Sequence, residues 1–362
     1  ARSLQRIARL GAKGFYEGQT AKRIVAAVTT AGGAMRLADL AGYRAKERQP
    51  VRGSYRGHSI VSMPPPSSGG VHIVQILNML EAYPLRQLGH NSAATIHVMA
   101  EAMKRAYADR SKYLGDPDFV AVPVKALTSK AYANALRAGI SLQKATPGAI
   151  IKPGSPQPFE SAQTTHYSIV DAAGNAVSNT YTLNFTYGLG MVAPGTGILL
   201  NNELDDFAAK PNTPNAYGLL GGKANAPGPG KRPLSSMSPL MVFGKDGALQ
   251  IVTGTPGGSR IITTTLQVIM NIIDHGMDVA EASAASRIHH QWWPDEIRIE
   301  DSLDAVTVAA LEERGHTARA VNMPSHGSDA TPIAEVTLNS CRDAVLGAST
   351  PDTLIVGHSW GG

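Results

Sequence analysis

Apolar positions recur with helical spacing at the start of the chain: Leu4, Ile7, Ala8 and Leu10, then Ala21, Ile24, Val25 and Val28, until Gly32-Gly33 breaks the pattern. Two or three short helices are expected within residues 1–46. A strand pair is predicted at 51–56 and 58–63, ending at Pro64-Pro65-Pro66-Ser67-Ser68-Gly69-Gly70. That stretch reads as a rigid turn, able neither to extend a ladder nor to form a helix. Helical spacing returns at 71–83 and 91–110, where Ile96, Met99, Ala100, Met103 and Tyr107 share one face and read as core packing. Periodicity disappears from 140 to 162, and 147–159, rich in Pro, Gly and Ser, predicts an exposed linker. Strand character begins abruptly at Thr164, and the runs 164–170 and 176–184 around Asp171-Ala-Ala-Gly-Asn175 predict a hairpin. A polar loop covers 210–233, followed by strands at 239–243 and 249–253 and a helix over 259–275. Helices, strands, helices and strands in that order give an α+β class with sheets between helical layers.

Composition supports a globular chain. Of 362 residues, 43% are hydrophobic and 17% charged, against a usual charged share of about 25%. The length accommodates one large domain or two of ordinary size. The single cysteine, Cys341, excludes an intramolecular disulfide framework and any multi-cysteine metal site. The net charge of +5 is scattered rather than gathered into a basic stripe, which argues against nucleic acid as a partner. No apolar run approaches the roughly 18 residues that a membrane span needs. The chain opens at Ala1, without Met or a basic-then-apolar leader, in what reads as the middle of a helical domain. An upstream part is therefore expected to be missing.

Candidate chemistry gathers around the hairpin. A turn centred on Ala173-Gly174 would pair Ala172 with Asn175, setting Thr164 opposite Leu183 and Thr165 opposite Thr182. Two threonine hydroxyls, Thr164 and Thr182, then lie near one strand end, although threonine alone is an ordinary strand residue. The strand starts directly after the linker. A cut between Gln163 and Thr164 would make the Thr164 hydroxyl an N-terminal nucleophile, with its own amine, of pKa about 8, as the nearby base. Pro256-Gly257-Gly258-Ser259-Arg260 opens a helix, so its N–H groups could receive an oxyanion; it could equally be a tight strand-to-helix turn. Asn201-Asn202-Glu203-Leu204-Asp205-Asp206 offers carboxylates for a substrate amine, or an ordinary solvated cluster.

Several blocks in order resemble the γ-glutamyltranspeptidase family: Ser62-Met-Pro-Pro-Pro-Ser-Ser-Gly-Gly70, Thr164-Thr-His-Tyr-Ser, Thr180-Tyr-Thr-Leu-Asn184, Leu199-Leu-Asn-Asn-Glu-Leu-Asp-Asp-Phe207, Lys231-Arg-Pro-Leu-Ser-Ser-Met-Ser-Pro239 and Thr255-Pro-Gly-Gly-Ser-Arg260. The resemblance spans residues 1–300 and fades after 330. It implies a four-layer αββα sandwich of the N-terminal-nucleophile hydrolase type, made as a precursor that cleaves itself. Residues 1–163 would be the C-terminal part of the large subunit, and 164–362 the small catalytic subunit. The cleaved bond would be Gln163–Thr164, with Thr164 the nucleophile for both cleavage and catalysis and Thr182 its hydrogen-bonding aid. Asn184, Glu203 and Asp206 would hold the α-amino group of a γ-glutamyl donor, Ser235 and Ser236 its α-carboxylate, and Gly257 and Gly258 the oxyanion. Tyr217, in a lid over 210–233, would shield the donor. The implied partners are glutathione or other γ-glutamyl compounds, amino-acid or peptide acceptors, and the two subunits for each other. No metal and no cofactor is implied, and the location would be periplasmic or extracellular. In the family the large subunit extends further upstream, where an arginine clamps the donor carboxylate. A glutaryl-cephalosporin acylase of the same fold, or an uncleaved inactive scaffold, are the alternatives.

Three motifs stand apart. Gly357-His-Ser-Trp-Gly361 fits a nucleophile elbow around Ser359, but that elbow needs a following helix and a later Asp and His. His289-His290 would point to opposite faces of a strand, which opposes shared metal ligation. The 218–223 segment lacks the first glycine and the Ser or Thr of a phosphate loop.

Overall fold

The computed structural model describes residues 1–152, 164–208, 210, 213–215 and 218–320. Gln163, Tyr217, Cys341 and the Ser359 elbow lie outside the described residues. The described chain forms two compact units, one from Ala1–Arg48 with Phe185–Asn202, the other from Gln49–Asn184 with residues 203–320.

In the first unit the helices Arg2–Leu10 and Gly18–Thr30 form where the spacing predicts them. Ile24 and Ala27 of the second pack with Ala193 and Leu200, flanked by Phe15 and Met35. The first helix behaves differently, leaving Leu4 and Leu10 exposed. Its inward residue is Ser3, whose hydroxyl donates to the Thr196 carbonyl at 2.8 Å, so a polar anchor rather than the leucines selects the inward face.

The second unit holds a four-stranded antiparallel sheet ordered Val51–Tyr55, His58–Ser62, Leu240–Phe243, Leu249–Thr253. Its first hairpin closes through Arg56-Gly57, both at positive φ (48° and 84°), the backbone of a two-residue turn matched to strand twist. The helix Gly69–Leu80 packs on the first two strands and is buried along its whole length. It begins at Gly69 and Gly70, inside the stretch expected to exclude a helix. A Cβ at Gly69 would clash with the Ser238 hydroxyl and the Met237 carbonyl, and one at Gly70 with the Met63 carbonyl, so these glycines permit close approach rather than break the helix.

The helix Ala93–Tyr113, capped by the Ser92 hydroxyl accepting from Thr95 N–H at 3.2 Å, runs through the interior of this unit. The predicted stripe is buried, and so are Glu101, Lys104, Arg105, Asp109 and Arg110. A helix enclosed on all sides must satisfy its charges internally. Glu101 does so with Arg105 at 2.7 Å and Lys104 at 3.2 Å, and Lys104 reaches Asp295 at 3.2 Å. The same groups hold the chain past residue 145. Thr146 N–H donates to Glu101 at 3.0 Å, Gly148 N–H to Asp295 at 2.6 Å, and the Trp292 indole to the carbonyls of Gly148 and Ile151 at 3.0 and 3.1 Å. The described start of the segment expected as an exposed linker is therefore pinned, because buried side chains distant in sequence satisfy its backbone.

The hairpin Thr165–Val170 with Ala176–Tyr181 packs against Leu249–Thr253. Ser178 ties it there, its hydroxyl donating to the Thr253 carbonyl at 2.9 Å and accepting Leu240 N–H at 3.0 Å. The helix Ile261–Ile273 follows and packs on Gly69–Leu80. No helix among the described residues is long and apolar enough to cross a membrane.

Candidate active site

The hairpin tip fixes what its open end brings together. Gly174, at φ 82°, donates its N–H to the Asp171 carbonyl at 3.0 Å, while the Asp171 carboxylate accepts the N–H groups of Ala173 and Asn175 at 2.9 and 2.8 Å. This is a three-residue loop ending in a left-handed glycine, not the predicted two-residue turn. Val170 therefore faces Ala176 and Thr165 faces Tyr181, one residue from the expected register. Beyond the last pair, the Thr164 hydroxyl donates to the Thr182 hydroxyl at 3.3 Å. Asn184 turns the chain at φ 72°, a conformation asparagine tolerates, and its N–H donates to the Thr182 hydroxyl at 2.8 Å.

An open concavity lies at this end, bordered by Thr164, Thr182, Asn184, Asp206, Ser235, Ser236, Gly258 and Ile261. Its glycine wall needs glycine for conformational reasons: Gly257 (φ 132°) and Gly258 (φ 55°) both occupy positive φ before a 3-10 turn leads into Ile261–Ile273. From the central helix, the Tyr107 hydroxyl donates to the Ser259 carbonyl at 2.5 Å and steadies that turn. The serine wall rests on the proline-rich segment. Ser235 N–H donates to the Pro66 carbonyl at 2.9 Å, and Ser68 donates both N–H and hydroxyl to the Ser235 carbonyl at 2.9 and 2.8 Å.

Glu203–Asp206 forms a 3-10 turn in which the three carboxylate residues are half-buried and Leu204 is exposed. Burial pushes the Glu203 carboxyl up to about 7, partly offset by bonds from the Thr182 hydroxyl and Asn184 N–H. Burial, then the charges of Glu203 and Asp205, push Asp206 up to about 8 against the opposing pull of Arg110. Asn225 fastens the turn from the 210–233 loop, its side-chain amide donating to the Asp206 carbonyl at 2.7 Å. Leu219 and Leu220 of that loop are buried.

Seven of the sequence-predicted residues thus border one pocket, with Glu203 bonded to Thr182 and Gly257 opening the glycine turn. Two further residues escaped the sequence reading. Ile261 supplies an apolar wall. Arg110, buried, donates through Nε to the Ser68 hydroxyl at 2.9 Å and through Nη2 to the Ser236 hydroxyl at 3.2 Å. Its only signal was a position three residues after Tyr107, on the inward stripe. His289 and His290 are engaged within the protein: His289 bonds Thr263 at 2.8 Å and Gln291 at 2.9 Å, and His290 accepts Trp292 N–H at 3.0 Å. A hydroxyl, N–H groups at a helix start, paired serines and an acidic turn around one cavity suit nucleophilic acyl transfer on a zwitterionic substrate.

Comparison with known proteins places the chain in a family. The sequence profile of the family Gamma-glutamyltranspeptidase matches residues 1–350, further than the motif blocks reach. The chain is 57% identical over 315 residues to the glutathione hydrolase proenzyme of Escherichia coli (strain K12), covering 87% of this chain and 54% of that protein. It is 54% identical over 316 residues to the glutathione hydrolase proenzyme of Pseudomonas sp. (strain A14), covering 87% and 55%. Among solved structures it superposes on a cephalosporin acylase from Bacillus halodurans with a TM-score of 0.73 at 30% identity, over 89% of this chain and 55% of the other. The chain belongs to the γ-glutamyltranspeptidase family and has the α+β fold of the N-terminal-nucleophile hydrolases. It spans about half the length of the curated relatives it matches.

Proposed function

We propose that the chain carries the catalytic centre of a γ-glutamyl transferase and glutathione hydrolase, acting in the periplasm or outside the cell. The backbone cleaves at Gln163–Thr164, leaving 1–163 and 164–362 associated as parts of a large and a small subunit. The freed Thr164 amine, of pKa about 8, takes the hydroxyl proton as the oxygen attacks the γ-carbonyl carbon of the donor. Charge developing on the carbonyl oxygen is received at the N–H groups of Gly257 and Gly258. Collapse breaks the C–N bond, the proton passes to the leaving amine, and a γ-glutamyl ester remains on Thr164. Water or an amino-acid or peptide amine attacks that ester and restores the hydroxyl. Thr182 aligns the nucleophile, and Asn184, Glu203 and Asp206 accept from the donor ammonium. Ser235 and Ser236 donate to its carboxylate, and Tyr217 covers the site.

The observation that carries this reading is the Thr164 hydroxyl, 3.3 Å from Thr182, sharing one pocket with the serine pair and Asp206. The decisive variant is Thr164→Ala, expected to run as a single band where the parent runs as two, and to lose turnover of γ-glutamyl-p-nitroanilide. An uncleaved parent, or a variant with parental turnover, would overturn it. The resemblance to a cephalosporin acylase supports a second reading, in which a glutaryl group is the acyl donor. A glutaryl group has no ammonium, so the half-buried carboxylates at its head would be left uncompensated. Preference for glutaryl-cephalosporin over the γ-glutamyl anilide would reverse the order of the two readings.

A further inference from the structure

We infer that Arg110 is a positioning residue for the donor site: one buried guanidinium whose hydrogen bonds to Ser68 and Ser236 fix the serine wall and turn the Ser236 hydroxyl into a donor towards the pocket. The inference rests on the proposed γ-glutamyl reading and deepens it.

The argument begins with what arginine can do. A guanidinium has only donors, so any hydroxyl bonded to it must accept. Ser68 and Ser236 both accept from Arg110, at 2.9 and 3.2 Å, and each keeps its own proton for another partner. Ser68 spends that proton on the Ser235 carbonyl at 2.8 Å, fixing the backbone of the neighbouring serine. Ser236 borders the pocket, so its proton is left to point at whatever occupies it. A hydroxyl polarised by a cation is a stronger donor than a neutral one, and a carboxylate is its natural acceptor. Arg110 does not itself border the cavity. It acts through the serines.

The same cation works at the opposite end of the donor. The charged groups acting on the Asp206 carboxylate are Arg110 from the central helix, and Glu203 and Asp205 from its own turn. After cleavage the Thr164 amine would join them from the hairpin. Of these, Arg110 favours the ionised carboxylate that an ammonium requires, while Glu203 and Asp205 oppose it. Arg110 thus acts on the pocket through its two serine hydrogen bonds, and its charge also opposes the upward push on Asp206.

The test compares the intact protein with its Arg110→Met, Arg110→Lys and Ser68→Ala variants, using γ-glutamyl-p-nitroanilide and recording kcat, KM and the pH profile of kcat/KM. Arg110→Met should raise KM by about 10- to 100-fold, the scale of one charge-assisted hydrogen bond, and move the acidic limb of the profile to higher pH. Arg110→Lys should restore the limb while KM stays high, because lysine keeps the charge but not the fork. Ser68→Ala should raise KM by a smaller factor and leave the limb in place. Should Arg110→Met fail to fold, the other two variants decide. Parental KM in Ser68→Ala with parental KM in Arg110→Lys overturns the proposal. So does a lower kcat with unmoved KM and limb, which is the mark of a merely structural residue. A parent that turns over no γ-glutamyl donor, or an active Thr164→Ala, would instead defeat the reading beneath it.

Discussion

Glu101 and Glu203 belong to the same compact unit, and burial acts on both, yet their surroundings drive them apart. Burial would raise the Glu101 carboxyl, but Lys104, Thr146 and Arg105 together hold it down to about 2. Glu203 receives bonds from a hydroxyl and a backbone N–H, yet stays pushed up to about 7. The first carboxylate is compensated by cations of the protein itself, and its work is to hold the central helix to the segment after residue 145. For the second, as for Asp206, burial is offset only in part, and under the proposed function their work is to receive the donor ammonium. Under that proposal the difference separates charge used for stability from charge held for a ligand.

The largest test of that contrast is Glu101→Ala. Removing one partner of a buried ion group strands the Arg105 charge and leaves Lys104 with Asp295 alone, so unfolding free energy should drop by about 3–5 kcal/mol in denaturant titration. Asp206→Asn should do the reverse. Relief of repulsion keeps the melting temperature equal or higher, while kcat/KM for a γ-glutamyl donor falls by about 100- to 1,000-fold, the scale of a lost buried charge partner. A melting temperature that fell with the activity would erase the distinction.

Glu203→Gln keeps an acceptor and removes a charge. A loss of about tenfold in kcat/KM is expected, with the acidic limb moving to lower pH because Asp206 no longer feels its neighbour. In the parent, kcat/KM should climb as pH rises through about 7 to 8, where the acidic pair ionises. A profile already flat from pH 5 would contradict the raised carboxyls. The smallest effect lies in stability against pH. A carboxyl depressed below its unfolded value of about 4.3 contributes stability that is complete above that value and is lost as pH falls through about 2, which describes Glu101. A raised carboxyl binds protons the unfolded chain has released, so the Glu203–Asp206 pair should lower stability as pH climbs from about 4 towards 8. Asp206→Asn should flatten that decline in melting curves taken across the range.

What the sequence disclosed was mostly local. Alternating residues on either side of Asp171–Asn175 announced the hairpin, and Gly257-Gly258 before an apolar run announced a turn into a helix. The register was missed by one because it depends on the left-handed backbone of Gly174, which composition alone does not distinguish from a two-residue turn. The anchoring of residues 148–151 was missed because its partners, Asp295 and Trp292, lie more than a hundred residues away. Arg110 was hidden for a different reason. On a helix buried all round, the contrast between apolar and polar faces vanishes, and a functional charge looks like the edge of an amphipathic stripe.

The hairpin tip carries a consequence for inheritance. Residues 172–174 sit at the far end of the ladder from Thr164 and border none of the cavity. Side chains along a strand alternate between its two faces, so gaining or losing one codon there would slip the pairing and aim the threonine away from its partner. Every motif would survive such an indel letter for letter, and the gene would still look like that of a working catalyst.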